Sequence, residues 1–158
     1  MQVIEGIDND LASTCVHELG HAIVMRALGV SIGIIRVRPF FGGGYCTGEK
    51  AYETWAEVME TGAVDLAGFQ AEDRWRRANG LFGASTWKAG DDFANFRARV
   101  RWVKEHAKDS DEGPIEMRES KIRAHADEIL TANWAELIEL IPDLAEKTKL
   151  DGLGMGVA

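Results

Sequence analysis

Between Asp10 and Leu28 apolar side chains recur four residues apart, at Leu11, Cys15, Leu19, Ile23 and Ala27, and Val16, Val24 and Leu28 widen the stripe. That period predicts a helix buried on at least one broad face. Asp8, Asn9 or Asp10 can supply the N-cap oxygen, and Gly29 stands where a left-handed residue would end the helix. The pattern then changes. From Val30 to Pro39 the β-branched residues Ile32, Ile34, Ile35 and Val37 mark a strand that Pro39 closes. Gly42, Gly43 and Gly44 permit a tight bend into a short extended segment, Tyr45 to Thr47, so a small hairpin is predicted. Helical periodicity returns over Trp55 to Ala78, Asp92 to Ala107, Glu116 to Trp134 and Trp134 to Leu150. The expected fold class is mainly α, with a small β-hairpin or sheet beside the first helix.

A chain of 158 residues is long enough to close one core, so a single domain, 1–158, is expected. Its ends, 1–10 and 152–158, read as flexible, and the polar stretch 109–114, ending in Gly113 and Pro114, reads as a joint within the domain. A formal net charge of −8 would repel a polyphosphate backbone, which argues against nucleic acid as a partner. The basic run Arg97, Arg99, Arg101 and Lys104 is interleaved with Asp91, Asp92 and Glu105 and reads as a solvated helix face. Two cysteines, Cys15 and Cys46, without Cys-x-x-Cys spacing signal neither a disulfide framework nor a thiolate metal site. With no signal peptide and no apolar run near ~18 residues, a soluble, cytoplasmic protein with no membrane partner is expected.

Chemistry enters at His17-Glu18-Leu19-Gly20-His21, an H-E-x-x-H motif in the middle of the first predicted helix. Residues four apart share one helical face, so two imidazoles can reach one zinc ion at Zn–N distances of about 2.0–2.1 Å. Glu18 sits just off that face, where its carboxylate can take a proton from water that the ion activates. Cys15 lies about 200° around the helix from His17 and is expected to pack as an apolar residue. A hydrolytic zinc takes three protein ligands and leaves one position open. The metzincin pattern is excluded, because Val24 and Ala27 occupy the places of its glycine and third histidine. His106, His125, Glu72, Asp73, Asp91 and Asp92 remain as third-ligand candidates, and spacing does not choose among them.

Taken together, His17 to Thr47 resembles the start of the peptidase domain of FtsH-type AAA proteases. In that family a helix bearing His-Glu-Ala-Gly-His runs into an Ile-Ile-Pro-Arg-Gly strand and a Leu-Gly-Tyr-Thr segment. The counterparts here are His17 to His21, Ile34 to Pro39, and Gly44-Tyr45-Cys46-Thr47. Ala67-Gly68-Phe69-Gln70-Ala71-Glu72-Asp73 resembles the family's Gly-Gly-Arg-Ala-Ala-Glu-Glu helix, and Leu81-Phe82-Gly83 through Asp91-Asp92-Phe93 its Phe-Gly…Gly-Ala-Ser-Asn-Asp-Leu segment. Ile122 to Gly152 resembles its closing helices. The resemblance implies Asp92 as third zinc ligand, with Glu72 and Asp91 as neighbours of the ligands, Glu72 orienting a histidine. Departures are Trp75 to Gly80, which looks like an insertion, Trp87 and Lys88 in place of small residues, and Phe69 in place of an arginine.

The function expected from these readings is that of a zinc-dependent, ATP-independent endopeptidase with a zincin-like fold. No Walker loop occurs in 158 residues, so a stand-alone domain acting on peptides or unfolded segments is expected, as a homo-oligomer or with a separate unfoldase partner. Gly43, Gly44 and Tyr45 would bind substrate as an edge strand. The tryptophans Trp55, Trp75, Trp87, Trp102 and Trp134 are expected in the core or between helices, Trp87 being nearest the proposed ligand. Two alternatives are a silent zinc-containing module that binds peptides, favoured if Trp87 and Lys88 crowd the metal, and a zinc hydrolase of non-peptide amides.

Overall fold

In the computed structural model, which describes residues 4–40, 42–49, 55–87, 89–106 and 115–153, the first helix α1 (Asn9–Ala27) begins at Asp8. The Asp8 carboxylate accepts from the backbone N–H groups of Asp10 (2.9 Å) and Leu11 (3.0 Å), satisfying two donors that no helical carbonyl can reach. Leu28 closes the helix and Gly29 follows at φ 71°, a left-handed conformation that costs glycine little. The predicted stripe understates the burial: from Ala12 to Met25 nearly every side is covered, so α1 is the central helix of the fold.

Strands β1 (Ser31–Val37) and β2 (Gly44–Glu49) form the predicted hairpin, with an irregularity in register between Ile32 and Ile35. α2 (Trp55–Ala78), α3 (Gly90–His106), α4 (Ile115–Ala132) and α5 (Trp134–Lys147) follow. The last predicted helix ends sooner than its periodicity suggested. Thr148 turns to φ 62° while its N–H still bonds Leu144 O, and Lys149–Asp151 becomes a third strand, β3, on the open side of β1. Both flanks of β1 are thereby paired, in the order β2-β1-β3, all antiparallel, and among the described residues β2 is an outer edge. The predicted joint at 109–114 lies outside the described residues.

One core joins the helices. Leu19 and Ile23 of α1, Leu66 and Trp75 of α2, Ile122 and Leu130 of α4, and Leu137, Ile141 and Leu144 of α5 are fully buried together. The apparent insertion at Trp75 therefore adds a core side chain to the end of α2. Arg26 and Glu136 make a two-pronged ion pair, 2.7 and 2.5 Å, that ties α1 to α5. α1 and α2 cross at small residues: a Cβ on Gly20 would stand 2.7 Å from Ala71 Cβ and 2.8 Å from Ala67 O. Only glycine permits that approach, and it sets the stripe Val64, Gly68, Glu72 of α2 against the histidines. Among the described residues no helix is long and apolar enough to cross a membrane.

Candidate metal centre

His17 and His21 stand one turn apart on α1, and their Nε2 atoms approach to 3.2 Å. Asp92 Oδ2 lies 2.9 Å from His17 Nε2 and 3.2 Å from His21 Nε2. These three are the group of potential ligand atoms that converge among the described residues. The spacing has chemical content, because ligand atoms on a tetrahedral ion with bonds near 2.0–2.1 Å stand about 3.3 Å apart. The triangle is within a few tenths of an ångström of that edge length. Its donor set, two imidazole nitrogens and a carboxylate oxygen, suits zinc with a fourth position left over.

Each imidazole is oriented through its other nitrogen. His17 Nδ1 lies 3.0 Å from Glu72 Oε2, and His21 Nδ1 donates to the carbonyl of Val64 at 2.7 Å. Those partners suit a proton on each Nδ1 and turn both Nε2 atoms to the shared point. Gly68 completes the arrangement. A Cβ there would lie 2.6 Å from His17 Nε2 and closer still to His21 Nε2, so a side chain would displace the rings.

Asp92 belongs to the first turn of α3, and two contacts seat that helix: Phe69 packs edge-on against Phe93, centroids 5.2 Å apart, and Arg99 Nε donates to Asp65 Oδ2 at 2.5 Å. The implied third ligand is thus beside the histidines. The other candidates go elsewhere. Asp73 accepts from Arg77 Nε (2.8 Å) and Ala84 N (2.9 Å), His125 lies on α4 outside the cluster, and the His106 side chain lies outside the described residues. Glu72 takes the orienting place expected of it. Asp91, expected only as a neighbour of the ligands, precedes Asp92 on α3, is exposed, lines the cleft, and forms no hydrogen bond to either imidazole.

Electrostatics follow from burial and proximity. Burial by itself would lower the His17 imidazole, but its hydrogen bonds to Asp92 and Glu72 outweigh that and hold it near 10. His21 is raised in the same way against its burial, by Asp92. For Asp92 burial works upward, and the two imidazoles overcome it, leaving the carboxyl well below the usual range. Metal-free, the cluster holds protons where an ion would sit, so ion binding must release them. Glu18 is nearly excluded from solvent, and burial raises its carboxyl despite both histidines. Burial likewise pushes the thiols of Cys15 and Cys46 up to about 12, so both are inert as nucleophiles.

The cluster opens into a cleft of about 890 Å³. Gly43, Gly44 and Tyr45 line it on the hairpin side. Gly43 has φ 75°, and a Cβ on Gly44 would meet Glu18 Cγ at 3.1 Å, so glycine brings β2 down onto the helix beside Glu18. Trp75 is a core residue, as expected of the tryptophans, and Trp134 lies 4.3 Å under the Arg74 guanidinium. Trp87 departs from that expectation: it lines the cleft and is 88% exposed. Lys88 and the side chain of Trp55 lie outside the described residues.

Sequence reasoning missed Val64, Gly68 and the pairs Phe69–Phe93 and Asp65–Arg99. A backbone carbonyl leaves no signal in side-chain identity. Gly68 did leave one, a glycine inside a helix, which costs about 1 kcal/mol relative to alanine and so calls for a packing reason. Compared with known proteins, the chain matches no family model and no curated protein.

Proposed function

We propose that the chain is a zinc metallopeptidase with a zincin-like, FtsH-type arrangement, hydrolysing peptides or flexible protein segments. The observation that carries this reading is the triangle of His17 Nε2, His21 Nε2 and Asp92 Oδ2, at 2.9–3.2 Å, with both imidazoles held from behind. His17, His21 and Asp92 would hold the ion, and bound zinc supplies Lewis acidity, polarising a carbonyl and making water a nucleophile near neutral pH. Glu18 takes the proton of the attacking water and delivers it to the departing amine. Glu18 is buried beside both imidazoles, and that burial raises its carboxyl from the ordinary value, which favours its holding a proton between the two halves of the cycle. The outer edge of β2, at Gly44 and Tyr45, offers backbone groups to an extended chain beside Glu18.

A silent peptide-binding module is the alternative that crowding of the metal by Trp87 and Lys88 would favour; Trp87 stands exposed at the rim, and Lys88 lies outside the described residues. Metal analysis of protein purified without added zinc, followed by cleavage of a denatured protein, tests the reading. About one equivalent of zinc is expected, lost in Asp92→Ala, and Glu18→Gln should keep the zinc while turnover drops by about 10²–10⁴-fold. Wild-type turnover in Glu18→Gln, or full zinc in Asp92→Ala, would refute it.

A further inference from the structure

The cleft is not uniform along its length. Its floor is the face of α1 from Asp10 to Met25, with the two imidazoles between. At 1.5 Å per residue that floor is about 22 Å long, room for roughly seven residues of extended peptide at ~3.3 Å each. β2 runs along it in the same direction as α1, since a Cβ on Gly44 would meet Glu18 and one on Gly48 would meet Met25 Sδ.

Beyond His21 the lining is apolar. Met25, Val30 and Val64 are nearly excluded from solvent, and the Cys46 thiol sits 3.9 Å from the Met25 sulfur. Before His17 the character reverses. α2 runs antiparallel to α1, with Glu72 at His17 and Arg76 at Ser13; the loop after α2, anchored through Phe82 O to Arg76 and Ala84 N to Asp73, returns to Asp92 from the side away from Met25, and its Trp87 and Asp91 line the cleft. Asp8, the helix cap, and Asp10 and Asp91 line the cleft on that side with the guanidinium of Arg38, and a second guanidinium, Arg76, is committed to Ser13. Asp10 and Asp91 enter no ion pair among the described residues, and the Trp87 indole offers an open face.

We infer that this groove selects extended peptides carrying lysine or arginine at the Trp87 end and an aliphatic or aromatic residue at the Met25 end. The inference rests on the peptidase reading and names its substrate class. A cationic side chain gains from the indole face and from the surplus of carboxylates, while an apolar one gains by leaving water at the other end. Substrates acidic at the first position or polar at the second are disfavoured by the same terms.

Fluorescence anisotropy with Glu18→Gln protein supplied with zinc tests this without turnover. The probes are labelled peptides of about eight residues, made in both chain directions, with lysine and leucine near opposite ends, and their Lys→Glu and Leu→Ser versions. Lys→Glu should weaken binding at least tenfold and Leu→Ser at least fivefold. Adding Asp10→Asn and Asp91→Asn should erase the first discrimination and leave the second. Raising salt from 50 to 500 mM should do the same with no further substitution. Equal binding of the parent, Lys→Glu and Leu→Ser peptides in both chain directions, no binding of any, or discrimination indifferent to both charge tests would overturn the inference. Absent zinc or absent cleavage in the wild type would instead sink the peptidase reading and leave the binding result legible.

Discussion

Gly68→Ala is the substitution that most directly tests the packing behind the proposed metal centre. In a helix interior the change normally gains about 1 kcal/mol, because alanine gives up less backbone freedom on folding. Here the new methyl would stand 2.6 Å from His17 Nε2 and 2.8 Å from His17 Cδ2, where non-bonded atoms settle at about 3.5 Å or more. Restoring contact requires both rings to withdraw by ~1 Å, whereas metal–ligand distances tolerate only about ±0.2 Å. The two effects therefore separate by state. Zinc affinity should fall at least about 100-fold, ~2.7 kcal/mol, since His17 and His21 lose their common point together. Helix content should remain, because α2 keeps its hydrogen bonds and its other core contacts. Competition with a chromophoric zinc chelator measures the first quantity, and circular dichroism with thermal melting of the metal-free protein measures the second. A variant that binds zinc as the wild type does, with a metal-free form stabilised by about 1 kcal/mol, would show that Gly68 is an ordinary helix residue and that the rings do not rest on it.

Glu72→Gln removes the carboxylate behind His17 while keeping its shape, and zinc affinity should fall by about 10–100-fold in the same chelator assay; unchanged affinity would remove Glu72 from the centre. Glu136→Gln should cost at most about 1 kcal/mol at pH 7, since the Arg26 pair is partly exposed. Arg26, by hydrogen bonding, holds the Glu136 carboxyl below its ordinary 4.5, so the pair stabilises above that value and is lost as pH falls through the depressed folded value. Denaturant titrations of both proteins should therefore converge in acid, and a gap that persists there would refute the assignment. Thr148→Gly should raise the melting temperature, because a β-branched residue at φ 62° carries about 1–2 kcal/mol of backbone strain that glycine does not; a lowered melting temperature would mean the threonine side chain matters more.

Helix and hairpin signals were legible where one local property decided the outcome. The four-residue apolar spacing, the cap candidates Asp8, Asn9 and Asp10, of which Asp8 serves, and Gly29 located α1 to within a residue, and Trp55 to Ala78 emerged with its expected ends. Lys149–Asp151 was not legible, because its apolar residue continues the period of α5 and only pairing with β1, more than a hundred residues earlier, makes it a strand. The candidate metal centre divides in the same way. His17 and His21 are fixed by helical period alone. Asp92 could be chosen among six candidates only through resemblance, since its approach depends on how α2 and α3 cross.

That dependence assigns the glycines their part in the chemistry. Two imidazoles one turn apart are common on helices, and by themselves they scatter among rotamers. They converge here because Gly20 lets α2 press against α1, Gly68 leaves the rings room, and Val64 and Glu72, one turn to either side of Gly68, hold the two Nδ1 atoms. Phe69 and Asp65 on the same helix then seat α3, and with it Asp92. One helix that contributes none of the three proposed ligands therefore sets the position of them all, so substitutions along α2 should disturb metal affinity as strongly as changes beside the motif itself.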